Sequence, residues 1–342
     1  MAMANIITFG ELMLRLQPFN HERFVQAQSV EFTFGGGEAN VAVSLANYGL
    51  DAAFVSKLPD HAIGQAAVNS LRRYGVDTSL IVRGGERIGI YYHEKGASQR
   101  SSFCVYDRAY SAIQLAQPED FDWDKIFEGA DWFHFTGITP AIGGEMIRIC
   151  REACLAAKAR GMTISFDPNH RAKLWSIEQA APVMAEFAAM ADVLIVNENQ
   201  AQQLFGISIP DQWRDGDETH DDGYRWLAEQ LAERFGCKTV VLSERRTYGA
   251  EDNRICGKIL SSGEFCTAKQ YRLDIVDRVG GGDALAAGVI YALKTGKSSQ
   301  DAVEFAVAAS ALKHSIVGDY NVVTVDEVEK LAGSSGNGRI QR

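Results

Sequence analysis

From its middle onward the chain is punctuated by short apolar runs rich in β-branched and aromatic residues: Trp132–Phe135, Met162–Phe166, Val193–Val196 and Thr239–Leu242. Each is too short for a helix, which predicts strands buried on both faces. Between them Glu145–Arg160, Ile177–Met190 and Gly223–Phe235 repeat apolar residues at helical spacing. Strands alternating with helices predict crossover units, hence an α/β fold with a mostly parallel sheet covered by helices on both faces. Such a sheet receives ligands beyond the carboxyl ends of its strands.

The first third reads differently. Asn5–Phe9 and Ala53–Lys57 look like strands of the same sheet, with a helix from about Glu38 to Tyr48 between them. Leu12–Leu16, Val30–Phe34, Ile88–His93 and Ser101–Tyr106 look like further short strands with no helix between paired members. They predict a small antiparallel sheet inserted into the main domain, over about residues 11–34 and 87–108. Such an insert can cover a ligand site as a lid; an edge extension of the core sheet is the alternative. Ile209–Gly223 is polar and acidic and predicts a surface loop, and the Gly/Ser-rich stretch Gly333–Arg342 predicts a frayed tail.

Hydrophobic residues make up 46% of the 342 and charged residues 23%, ordinary for a globular chain that buries a core without staples. The net charge is −10, from 34 basic and 44 acidic residues. That excludes nucleic acid and an anionic membrane surface as partners, because both select a basic face. Its most apolar long stretch, Ala180–Val196, is interrupted by Glu186 and Asp192, so no membrane span is expected. Met1–Gly10 lacks the pattern of a secretory signal, and a cytoplasmic location is expected. The six cysteines form no CxxC pair, and Cys150 and Cys154, four apart, have no partners to complete a metal site.

Two glycine triplets carry the candidate chemistry. Asp277-Arg-Val-Gly280-Gly281-Gly282-Asp283 opens an Ala-rich helical run from about Gly281 to Lys294. Amides at a helix start lack internal partners and the dipole favours negative charge, so the run can form an anion site. A carboxylate beside a held phosphate is an odd neighbour unless it takes a proton from an attacking hydroxyl; the local alternative is that Asp283 only supports the helix start. The run lacks the lysine of a P-loop. Gly35-Gly36-Gly37-Glu38-Ala39-Asn40 opens a second helix that stops at Gly49. Asn40 there can bond a sugar hydroxyl, or merely cap. Tyr91, Tyr106, Asp107 and Arg108 lie on or after the lid strands, and Asp167-Pro-Asn169-His-Arg171 follows a core strand on its ligand side. Two arginines so placed can grip a carboxylate.

GGGEANVAVSLANYG and DRVGGGDALAAG resemble the two signature stretches of the ribokinase-like (phosphofructokinase-B) sugar kinases, and the likeness runs from about Asn5 to Leu331. Phe9–Leu16, Arg87–Tyr91, Gly96–Arg100, Val105–Arg108, Phe133–Pro140 and Asn169–Trp175 narrow it to the branch that phosphorylates 2-keto-3-deoxygluconate on its 6-hydroxyl. The resemblance implies one three-layer α/β/α kinase domain with a β lid, ATP and Mg²⁺ as cofactors and a sugar acid as substrate; a lid edge strand that pairs between subunits leads to the expectation of a homo-oligomer, dimer or higher. It leaves open a monovalent cation, and kinases for fructose, ribose or another keto-deoxy acid, or more distantly a non-catalytic sensor, as alternatives. By position it implies Asp283 as catalytic base, and Gly280, Gly281 and Gly282 as the anion hole. Gly36, Gly37, Glu38, Ala39 and Asn40 fall on the substrate stretch. Tyr91, Tyr106, Asp107, Arg108 and Arg171 fall on the sugar acid, and Asn169, Asn197, Ser243 and Arg245 on the nucleotide. The chain departs from the family at Gly281, where alanine is usual, at Gln200, where a magnesium-linked glutamate is usual, at His170, and along Ser243–Gly249.

Overall fold

The computed structural model describes residues 5–215 and 218–334; the expected tail lies outside these beyond Ser334. The first third carries β1 (Ile6–Phe9), β2 (Met13–Pro18), β3 (Val30–Gly35), α1 (Gly37–Asn47), β4 (Ala52–Leu58), α2 (Ala62–Arg72), β5 (Ile81–Arg83), β6 (Ile90–Glu94) and β7 (Phe103–Asp107). The middle alternates α3 (Trp123–Ile126), β8 (Trp132–Thr136), α4 (Ile138–Ala141), α5 (Met146–Ala159), β9 (Thr163–Asp167), α6 (Ile177–Ala188), β10 (Val193–Val196) and α7 (Glu198–Phe205). Then come a ribbon of β11 (Arg214–Asp215) and β12 (Glu218–Thr219), α8 (Asp221–Phe235), and strands β13 (Thr239–Thr247), β14 (Asp252–Ser261), β15 (Glu264–Thr267) and β16 (Tyr271–Asp274). Helices α9 (Gly281–Lys294), α10 (Ser299–Lys313) and α11 (Val325–Ala332) close the chain.

The main sheet runs β15-β14-β13-β10-β9-β8-β1-β4-β5, parallel from β13 to β5 and antiparallel at the β14 edge. Its strands are apolar on both faces because both faces are covered. Phe133, Phe135, Leu194, Val196, Val240 and Leu242 pack under α5 to α8. Their alternate neighbours Trp132, Val193, Ile195 and Val241 pack under α1, α9 and α10.

The lid is a separate sheet ordered β3-β2-β6-β7. It corrects the antiparallel expectation: β2 and β6 are parallel, flanked by antiparallel β3 and β7. The chain leaves the lid after β3, runs through α1, β4, α2 and β5 in the core, and re-enters at the same end, and such a crossover gives parallel neighbours. The segment expected as a loop at Ile209–Gly223 holds a short turn and the β11–β12 ribbon. Among the described residues no helix is long and apolar enough to cross a membrane.

Candidate active site

The carboxyl ends of β8, β9, β10 and β13 face the lid across a cavity of about 890 Å³. Two helices aim their N-termini at it. The first intrahelical bond of α9 runs from the Ala284 amide to the Gly280 carbonyl (2.9 Å), leaving the amides of Gly281, Gly282 and Asp283 without helical partners. Gly280 adopts φ +83°, and a Cβ there would lie 2.1 Å from the Asp319 carbonyl oxygen, so both backbone and space demand glycine. At Gly282 the backbone faces open space. Helix α1 begins the same way after Gly36, and Gly37 sits so close that a Cβ would stand 3.7 Å from Asp283 Oδ1.

Asp283 is where the two helix starts meet. Asn40 Nδ2 donates to its Oδ2 at 2.7 Å, while the Gly36 amide donates to Asn40 Oδ1. The carboxyl is open to the cavity yet deep in the molecule, and this burial raises its pKa to about 6, against the lowering pull of Asn40 and Arg171. A carboxylate that stays ionised at neutral pH yet binds a proton readily is suited to accept one from a hydroxyl held against it. Asp167, at the end of β9, lines the same cavity and is raised to about 7 by burial, with Asp283 adding repulsion.

The other expected residues divide. Gly36, Gly37, Tyr91, Tyr106, Arg108, Asn169, Arg171, Asn197, Ser243 and Arg245 line the cavity with the glycines of α9. Arg171 projects into it with no ion pair among the described residues. Arg108 is already neutralised: its Nε donates to Glu11 Oε2 at 2.9 Å, and a second guanidinium nitrogen bonds the same oxygen. The Tyr91 hydroxyl donates to Asp319 (2.6 Å), and its ring stacks on Tyr106 at 6.2 Å. Asn169 holds φ +34°, its amide bonded to Asp167 Oδ1.

Three expectations are corrected. Ala39 is fully buried in the lid-base core and does not reach the cavity. Asp107 does not line it; it pairs with Arg87 at 2.9 Å and borders a smaller adjoining pocket with Tyr106, Arg108 and Arg171. Glu38 borders the cavity, but its carboxyl is turned inward, accepting from the Thr136 amide, the Thr136 hydroxyl and the Thr139 hydroxyl at 2.6–2.9 Å. Glu38 thus fastens α1 to the end of β8 rather than facing a ligand, and burial raises its pKa to about 7.

Magnesium finds no clustered seat. Asn197 and Gln200 spend their side chains on a reciprocal cap of α7, and Glu198 is paired with Arg214. Among the described residues no group of three His, Cys, Asp or Glu side chains could hold a metal ion.

Several further cavity residues have no role assigned from the sequence. Arg278 lies inside the quoted glycine motif, Asp167 inside the quoted β9 turn and Glu11 inside the quoted Phe9–Leu16 stretch, so all three were within reach. Asp319 carries no local signal. Arg15 is fully buried beneath the site, bonded to Asp277 at 2.7 Å and Asp319 at 2.6 Å, the acids flanking the α9 turn from either side.

The chain as a whole has known relatives. The 2-dehydro-3-deoxygalactonokinase of Haloferax volcanii is 34% identical over 96% of each chain. The 2-dehydro-3-deoxygluconokinase of Bacillus subtilis is 28% identical, covering 95% of this chain and 94% of its own. The crystal structure of the 2-dehydro-3-deoxygluconokinase of Thermotoga maritima superposes with a TM-score of 0.93 at 46% identity, over 97% of this chain and all of that one. Residues 3–324 match the model of the pfkB family carbohydrate kinases. With a ribokinase-like sheet, a lid and a buried carboxyl set among helix-start amides, the chain belongs to the pfkB family of carbohydrate kinases.

Proposed function

We propose that this protein transfers the γ-phosphoryl group of ATP to the 6-hydroxyl of 2-keto-3-deoxygluconate (2-dehydro-3-deoxygluconate), giving the 6-phosphate and ADP. The observation that carries the reading is the Asp283 carboxyl, held by Asn40 beside three amides without helical partners and sharing its cavity with Arg171, which makes no ion pair among the described residues. Asp283 accepts the hydroxyl proton as the oxygen bonds phosphorus and ADP departs. The amides of Gly281, Gly282 and Asp283 stabilise charge on the phosphoryl oxygens, and positioning supplies most of the rate. Arg171 faces the sugar acid's carboxylate, while Tyr91 and Tyr106 form the lid wall over the ring. Asn169, Asn197 and Ser243 serve the nucleotide side.

Magnesium enters as part of the MgATP substrate, as suits a cation held chiefly by phosphates and water with few protein ligands. The names of the T. maritima and B. subtilis relatives support the gluconate acid; that of the H. volcanii relative supports its galactonate epimer. The whole chain acts as one kinase domain in the cytoplasm. The lid's edge strands carry exposed Phe32, Phe103 and Val105, which favours pairing with a second copy.

An ADP-release assay over both epimers, fructose, ribose and 5-keto-2-deoxygluconate tests the reading. A 2-keto-3-deoxy acid is expected to exceed the neutral sugars in kcat/KM by about a hundredfold or more. A neutral sugar preferred, or thermal stabilisation by the acids without ADP release, overturns it.

A further inference from the structure

Two further arginines line the cavity, on elements other than the β9 turn that carries Arg171. Arg245 comes from β13 and Arg278 from the turn before Gly280, and neither makes an ion pair among the described residues. Burial, and after it the nearby charge of Arg278, together lower the pKa of Arg245 to about 10. Like charges left near each other at a cavity wall repel in the empty protein, and a fold that keeps them there provides a seat for a polyanion.

Arg245 is aimed by a specific partner. Its guanidinium donates to His314 Nε2 at 2.9 Å. His314 Nδ1 lies 2.6 Å from the Ser310 carbonyl oxygen, so Nδ1 carries the proton and Nε2 is left as acceptor. The ring remains neutral because burial lowers its pKa to about 4. It lies directly over Gly281: a Cβ there would come within 2.3 Å of His314 Cε1 and 2.7 Å of Nε2. Gly281 has no positive φ, so its backbone would accept alanine, and only the imidazole forbids it.

We propose that Arg278 joins Arg245, which the resemblance already sets on the nucleotide, in gripping its polyphosphate end, that His314 is the positioning residue that aims Arg245, and that position 281 is glycine to admit the His314 ring. This rests on the kinase reading and assigns the phosphate end of that site. It also gives the glycine at 281 a cause in this chain, because a Cβ there would meet the His314 ring at 2.3 Å.

Calorimetric titration with a non-hydrolysable ATP analogue and with adenosine provides the test. Arg245→Met and Arg278→Met are expected to weaken the analogue by about 10- to 100-fold and leave adenosine unchanged. His314→Leu should raise KM for ATP, and His314→Gln, whose amide oxygen can accept from Arg245, should restore most of it. Gly281→Ala should weaken ATP in the natural background but add nothing to His314→Ala. Analogue binding unaltered by Arg245→Met, or losses at 281 and 314 that simply multiply, overturns the proposal. If the unaltered protein binds the analogue no better than adenosine, the kinase reading itself falls.

Discussion

Replacing Asp283 by Asn isolates the proton-accepting group with little disturbance of shape. The amide is isosteric, and its oxygen can still accept from Asn40 Nδ2, the partner that holds Oδ2 at 2.7 Å. Binding of both substrates should therefore change little. Loss of a general base costs about 10²- to 10⁴-fold, roughly 3–5 kcal/mol of barrier, and should appear in kcat. Stability should move the other way. The folded pKa of about 6 lies above the usual carboxylate value, so the folded state binds more protons than the unfolded state between about pH 4 and 6. Natural stability therefore falls as pH rises through that window, and the neutral amide escapes a cost of up to about 3 kcal/mol. Steady-state kinetics with an ADP readout, paired with urea unfolding at pH 7.5, should find a variant much slower yet at least as stable. The natural protein should also lose kcat/KM with unit slope below about pH 6, and the variant's residual rate should lack that limb. Near-normal kcat in folded Asp283→Asn refutes the assignment. A retained acid limb refutes it as well, and points instead to Asp167 or Glu38, both raised to about 7.

Asn40→Ala removes a bond that lowers the Asp283 pKa, so its acid limb should move to higher pH, with kcat down about tenfold, as a pH–rate profile would show. Arg171→Ala should raise KM for the keto-deoxy acid about tenfold or more, while Arg108→Ala should cost less in KM because Glu11 already neutralises Arg108. Equal effects in substrate titrations would contradict this. Arg15→Met leaves Asp277 and Asp319 buried without their cation and should destabilise the fold by about 3–5 kcal/mol in denaturant unfolding.

The parallel strands were legible because burial on both faces leaves an uninterrupted apolar run, as at Val193–Val196. Strand β14 was not: Asp252, Arg254 and Lys258 interrupt its apolar positions near the sheet edge, and the buried Lys258 is answered by Glu244 on β13. Helix α10 escaped because it packs against both α9 and the sheet, so apolar residues surround it and no stripe stands out. In the site, the glycine triplets declared themselves locally, since tight turns need glycine in sequence order. Inward-turned Glu38, neutralised Arg108 and the cluster around Arg15 did not. Their partners lie 98, 97 and up to 304 residues away, and only the folded chain brings them together.

The Arg15 cluster determines how the lid can move. Arg15 lies on β2 and Tyr91 on β6, the two inner lid strands, and both are bonded to Asp319 beside the α9 turn. Opening the lid as a rigid flap would pull a guanidinium from two buried carboxylates, an expense of several kcal/mol on every turnover. The inner strands therefore travel with the α9 turn, and opening falls to the parts of the lid outside this cluster. Admission of sugar acid becomes a flexing of the rim, and the floor on which phosphoryl transfer occurs stays assembled between turnovers.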